Sequence, residues 1–250
     1  MSGSRAHPGS VLARPSAARL RAGAGGIDAV EAFSRGHALD RDWMGWGALR
    51  VRSHQRWAPG AGRDDGRVAN MERLLLVLEG ALDADCGALG RHRVEAGQAL
   101  WIGCGHGLGS RLANASATAP LRLLECWLQP PRVNAAPVVA VLEPPTDAGS
   151  GDRWRAMPPG RGGGEGREAA AAPRWMLAAV PPVGTIALPR HGGAARYWLE
   201  VLEGEAAVDG HGRFRAGDGL AWMAGAADAP AAFAAAGTAE LRILLFALPA

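Results

Sequence analysis

The sequence predicts an all-β protein built of two β-barrels of the double-sheet, jelly-roll type. Three observations predict it. The composition, with Gly 36, Pro 17 and 48% hydrophobic residues, suits many short strands joined by turns. From Trp43 onward the chain shows a period of two, as in Leu49 and Val51 against Arg50 and Arg52. Finally, one pattern occurs twice. "VLEGALDA" near Gly80 returns as "VLEGEAAVDG" near Gly204, and "EAGQALWIG" near Gly97 returns as "RAGDGLAWM" near Gly217. The Glu-Gly and Ala-Gly turns lie 17 residues apart in the first copy and 13 in the second. Both copies end in an apolar strand, "LRLLECWL" and "LRILLFAL", which is the mark of an internal duplication. A chain of 250 residues is long enough for two such units, each with its own core.

Each element follows in chain order. Residues 1–30 form a basic tail of Arg, Ala, Gly, Ser and Pro with no acid before Asp28, expected to be mobile; an organelle transit peptide has a similar composition. The first barrel is assigned to residues 31–142. "WMGWGALRVRSH" opens it as a strand, "WAPGAGRDDG" is turn chemistry, and "LLLVLEGALDA" is a buried strand, a turn and a second strand. "GRHRVEAGQALWIG" adds two strands, and Leu121 to Pro131 closes the barrel. Residues 143–174, rich in Pro, Gly and Ala, read as a linker with a strand near Trp154, and residues 175–250 as the second barrel.

Composition excludes several classes. No run of about 18 apolar residues predicts a membrane span, and no secretory signal pattern opens the chain. All 27 basic residues are Arg, which fits a GC-rich coding sequence and warns against reading each guanidinium as selected. A net charge of +3 without a basic cluster argues against nucleic acid. Cys86, Cys104 and Cys126 have neither disulfide nor zinc-site spacing, so a reducing cytoplasm is expected.

"GWGALRV", "PGAG", "MERLLLVLEGAL", "EAGQALWIGCGHGLGS" with Asn114, and later "YWLEVLEGEAAVDG", "AGDGLAW" and "LLFALP" resemble the pirin family of bicupins, in particular the bacterial members described as quercetin 2,3-dioxygenase-like. The likeness runs almost without gaps from Phe33 to Leu128 and is looser from Ala194 to Pro249. It implies an N-terminal barrel holding Fe(II) or another divalent transition metal on three histidines and a glutamate. Carried over by position, those ligands fall on Gly66 and Val68, before Met71-Glu72, and on Ser110 and Leu112, after Gly105-His106-Gly107. None of the four supplies an imidazole or a carboxylate, so no metal or other cofactor is expected. Replacing them by His, His, His and Glu is expected to create metal affinity if the backbone frame is intact.

Other donors stand nearby. Glu72 is a candidate ligand, or a general base if it points into an apolar interior, with a salt-bridged or rim glutamate as the bland reading. Cys104 and His106 form a C-x-H pair on a turn, either a weak alternative donor set or a buried thiol beside a turn histidine. Asp64-Asp65 would suit a hard cation or solvated turn acids, and His37, His54 and His191 are isolated. Trp43, Trp46, Trp57, Trp101, Trp127, Trp198 and Trp222 supply core, or the walls of a pocket for a planar aromatic ligand. The expected function is that of a pirin-like cupin without its metal site, a non-catalytic small-molecule-binding or regulatory protein. Its expected partner is a small aromatic molecule or a protein, and it is expected to be monomeric. The alternative is a quercetin 2,3-dioxygenase-type oxidoreductase with a shifted metal site, and whether the chain is an enzyme stays open between the two.

Overall fold

The computed structural model describes residues 11–143, 154–156, 174–189 and 193–249. Among them are 21 strands and two 3-10 turns. In chain order the strands are β1 (Leu12–Arg14), β2 (Leu20–Ala24), β3 (Ile27–Glu31), β4 (Leu49–Trp57), β5 (Gly62–Val68), β6 (Glu72–Glu79) and β7 (Ala81–Asp85). They continue as β8 (Arg91–Glu95), β9 (Ala99–Gly103), β10 (Leu108–Asn114), β11 (Leu121–Leu128), β12 (Val138–Leu142), β13 (Arg155–Ala156) and β14 (Arg174–Val180). The last are β15 (Thr185–Ala187), β16 (Arg196–Glu203), β17 (Glu205–Val208), β18 (Gly212–Arg215), β19 (Gly219–Met223), β20 (Ala232–Ala235) and β21 (Leu241–Leu248). No helix of the described residues is long and apolar enough to cross a membrane.

The chain divides into two compact units, one around residues 20–144 and one around residues 173–250 that also takes in the N-terminal residues up to Arg19. The first consists of a seven-stranded sheet, β12-β9-β6-β11-β4-β3-β2, and a four-stranded sheet, β5-β10-β7-β8. The second consists of a six-stranded sheet, β1-β19-β16-β21-β14-β13, and a four-stranded sheet, β15-β20-β17-β18. The run β9-β6-β11-β4 is matched by β19-β16-β21-β14, and β5-β10-β7-β8 by β15-β20-β17-β18. The duplication read from the sequence is therefore a duplication of topology, and the fold is a bicupin. The first copy is longer because the 3-10 turn Gly87–Leu89 separates β7 from β8.

Each unit closes its two sheets over a core. In the first, Leu75, Val77, Leu100 and Leu121 of the larger sheet meet Leu82, Ala84, Val94 and Leu112 of the smaller. In the second, Leu199, Val201, Leu220 and Ile243 meet Val208, Phe214 and Phe233. The Glu-Gly turn recurs for a steric reason. Gly80 and Gly204 have φ of +80° and +77°, and a Cβ there would lie 2.9 Å from the Pro120 carbonyl oxygen and 2.5 Å from that of Glu240. Only glycine meets both demands.

Two expectations need correction. The basic tail assigned to residues 1–30 is sheet from Leu12 onward; residues 1–10 lie outside the described residues. β1 pairs with β19 and β2 with β3, both at sheet edges, where backbone hydrogen bonds hold a strand that has little apolar surface of its own. In the second unit Arg19 donates two hydrogen bonds to Glu200, at 3.0 and 3.1 Å, between fully buried side chains. The strand expected from Trp43 begins at Leu49, and Trp43 lies in the connection before it, stacked on Phe33. Of the linker, Trp154 and β13 are described: β13 pairs with β14, and Trp154 Nε1 donates to the Ala187 carbonyl at 2.6 Å. Deleting residues 1–26 removes β1, β2 and Arg19. The expected result in differential scanning calorimetry is a fall of more than about 5 °C in melting temperature, where a mobile tail would leave it unchanged.

Candidate functional site

The interior of the first unit is not uniformly apolar. Side chains alternate along a strand, so Arg73, Leu75 and Val77 of β6 share a face, as do Leu121, Leu123, Glu125 and Trp127 of β11. Leu75, Val77, Leu121 and Leu123 belong to the core cluster. Arg73 and Glu125 therefore enter at one end of the same interior, joined by Ser53 and Gln55 of β4, Arg63 and Asp65 of β5, and Ser110 of β10.

Glu125 is the centre of this group and is fully buried. Its Oε1 accepts from Arg63 Nη2 at 2.7 Å, Arg73 Nη2 at 2.8 Å and Trp127 Nε1 at 2.7 Å. Its Oε2 accepts from Gln55 Nε2 at 2.8 Å and Arg35 Nη1 at 3.1 Å. Arg73 reaches further, with Nη2 2.7 Å from Asp65 Oδ2 and Nη1 3.0 Å from Ser110 Oγ. Arg63 Nε lies 2.8 Å from Asp65 Oδ1, and its Nη1 donates to Gln55 Oε1 at 3.1 Å. The Gln55 oxygen also accepts from Trp57 Nε1 at 2.9 Å, and Ser53 Oγ donates to Glu31 Oε1 at 2.8 Å. Three guanidiniums thus face three carboxylates, Glu31, Asp65 and Glu125. The Trp127 ring lies between two of the cations, 4.9 Å from the Arg73 guanidinium carbon and 5.3 Å from that of Arg35.

Charge fixes the protonation of the group. Burial opposes ionisation of Glu125, but Arg63, Arg73 and Arg35, with the Trp127 bond, outweigh it and hold the carboxyl well below its ordinary range. Burial likewise opposes the charge on Arg73, and Glu125 and Asp65 overcome it, raising its pKa further. Glu31 shifts the other way: burial raises it, and Arg35 and Ser53 only partly offset that.

The positions singled out in the sequence are distributed around this network. Ser110 is buried and bonded to Arg73, Leu112 is core, and Val68 packs against the core. Gly66 sits at φ +61°, donating its N–H to Asp64 Oδ1, beside an irregularity in the β5–β10 pairing. Asp64 and Asp65 split: Asp64 faces out to Arg111 at 2.9 Å, and Asp65 faces in. Cys104, His106 and Glu72 do not converge. Cys104 is buried in the core, where burial pushes its thiol up to about 11, and His106 is exposed. Glu72 lies on the opposite face of β6 from Arg73, so the strand's alternation rules out the reading in which it is a general base pointing into the barrel. No described residue bonds to Glu72, and burial alone raises its pKa to about 7. Among the described residues, no group of three or more His, Cys, Asp or Glu could hold a metal ion. His191 lies outside the described residues.

Sequence reasoning missed Arg35, Gln55, Arg63, Arg73 and Glu125. The available signal was an acid inside the apolar run "LRLLECWL" and an arginine opening "RLLLVLE". A composition in which every basic residue is Arg masked it.

Two outcomes follow from these electrostatics. Glu125→Gln removes the charge that three guanidiniums share, and chemical denaturation is expected to show a loss of about 3–5 kcal/mol. The lowered pKa of Glu125 means that its contribution is present above the ordinary carboxylate range and is lost as pH falls through its folded value. Glu72 has the opposite sign. Its folded state keeps a proton that the unfolded state releases between 4.5 and about 7, so stability falls as pH rises through that window. Glu72→Gln should flatten this part of the stability–pH profile and raise the melting temperature at pH 8.

Comparison with known proteins gives the same architecture. No family model matches the chain. Quercetin 2,3-dioxygenase of Escherichia coli K12 is 28% identical over 81% of this chain and 85% of its own. The pirin-like protein YhaK of the same organism is 28% identical over 42% of this chain and 45% of its own. The crystal structure of the E. coli bacterial pirin YhhW in complex with nickel(II) superposes with a TM-score of 0.79 and 22% identity, covering 96% of this chain and 99% of that one. In sequence this chain is a homologue of the bacterial quercetin 2,3-dioxygenase and pirin-like proteins, and in fold it is a bicupin of the bacterial pirin type.

Proposed function

We propose that this chain is a pirin-like cupin that works without the family metal, as a non-catalytic small-molecule-binding or regulatory protein of the cytoplasm. The observation that carries this reading is the content of the four positions that the resemblance assigns to ligands. Gly66 has no side chain, Val68 and Leu112 pack with the core, and the Ser110 hydroxyl is already 3.0 Å from a guanidinium nitrogen. A transition metal in such a barrel needs nitrogen or carboxylate donors at about 2.0–2.2 Å and a place free of competing cations. This donor set meets neither need.

The binding part of the proposal rests on what the network presents outward. Arg35 and Arg63 are 28% and 19% exposed, and Trp127 is half-buried beside Arg35. Together they offer guanidinium N–H groups beside a partly exposed indole to an aromatic molecule carrying oxygen acceptors. In the second unit the corresponding interior is filled by its own aromatics, with Tyr197 stacked on Trp222 at 5.4 Å and Phe233 beside them. A quercetin 2,3-dioxygenase-type activity on a shifted metal site is the second reading. The 28% identity to the E. coli enzyme over most of both chains favours it.

Elemental analysis of tag-free protein from iron- and nickel-supplemented cells separates the two. The proposal expects less than about a tenth of an equivalent of any transition metal, whereas about one equivalent would support the dioxygenase reading. The structure also revises what restoring the ligands should do. The fourfold change Gly66→His, Val68→His, Ser110→His and Leu112→Glu leaves the Arg73 charge in the barrel. Nickel titration is therefore expected to show binding at least about tenfold tighter when Arg73 is also replaced by Met than in the fourfold variant alone.

A further inference from the structure

We infer that the first unit contains a guanidinium socket, formed by Asp65, Glu125, Ser110 and the Trp127 face, with Arg73 as its resident cation. The socket deepens the metal-free reading, because it gives the barrel an internal cation of its own.

Four observations point to it. The Arg73 side chain is 1% exposed, and both terminal nitrogens are engaged, Nη1 by a hydroxyl and Nη2 by two carboxylates. The Trp127 face covers the guanidinium at 4.9 Å. Two separate nitrogens are held, Nη1 by a hydroxyl and Nη2 by two carboxylates, with an aromatic ring over the carbon between them, an arrangement that a guanidinium fills and a single ammonium nitrogen or a spherical ion does not. The socket is also polar where the fold does not require polarity. Counting back from the repeated Glu-Gly turn, the place of Arg73 in β6 is taken in β16 by Tyr197, and the place of Glu125 in β11 is taken in β21 by Leu245. Both are buried in an apolar core, so the same topology closes without the ions. Replacing a buried ion cluster with apolar residues is often neutral or stabilising. The second unit keeps a buried ion pair, Arg19–Glu200, on the opposite face of β16 from its core, so only the first unit retains ions inside the barrel, which fits a socket shaped for its cation better than a demand of packing.

A socket that is specific for its cation should accept the same group when it is supplied from outside. The experiment uses full-length Arg73→Ala, with its melting temperature read against millimolar methylguanidinium chloride and, separately, sodium chloride. The expected result is a lower melting temperature than wild type. Methylguanidinium should recover at least about half of the loss, salt none of it, and wild type should be unmoved by either. If Arg73→Ala does not fold when expressed, the same comparison is made on its refolding yield from urea with and without methylguanidinium. Equal effects of the two salts, or no recovery, would overturn the socket. So would an Arg73→Lys variant as stable as wild type, since lysine keeps the charge and loses the planar fork. Metal content is measured on the wild-type protein alone. A bound metal there would overturn the metal-free reading without altering the rescue result, so the two failures are distinguishable.

Discussion

The interior of the first unit depends on one carboxylate. Glu125, on the central strand β11, receives five donors from β4, β5, β6, β11 and the segment after β3. An isolated carboxylate in an apolar interior would neutralise itself by taking up a proton. Here three guanidiniums keep it ionised, and each of them is in turn neutralised by sharing Glu125, Asp65 or Glu31. The cluster is therefore cooperative: no member can lose its charge without leaving another buried and uncompensated.

That constraint reaches the strands around it. Asp65 must face inward while its neighbour Asp64 faces outward to Arg111, and the chain then turns at Gly66 with a positive φ. The irregular β5–β10 register lies at this point, so the local geometry where the resemblance places metal ligands is instead occupied by the inward acid and its arginine partners. Trp127 is held by its own hydrogen bond to Glu125, and its ring is flanked by two guanidiniums. The partly exposed surface of the site is thus set by the same buried charge.

Duplication supplies a comparison inside one chain. Both units repeat the same strand orders, but one fills its interior end with ions and the other with Tyr197, Trp222, Phe233 and Leu245. The second keeps its buried ion pair, Arg19–Glu200, away from that interior. The difference lies in what each interior can do: a stacked aromatic core is chemically closed, whereas the ionic end of the first unit presents charge and hydrogen-bonding capacity at its rim.

The sequence by itself determined the fold class, the duplication and most strand positions. Those features arise from short-range causes: period-two apolar runs, and the Gly80 and Gly204 turns that no other residue can make. It did not reveal β1 and β2, because edge strands are held by backbone hydrogen bonds rather than by an apolar signature. Glu72, one of the donors weighed from spacing, lies on the opposite face of β6 from Arg73, since a one-residue step in a strand reverses a side chain's direction and both faces of β6 are apolar enough to hide the register. The network of Arg35, Gln55, Arg63, Asp65, Arg73, Ser110 and Glu125 was decided only by tertiary structure. Its members come from six separate segments, and a buried arginine cannot be told from a solvated one until the sheets that close over it have paired.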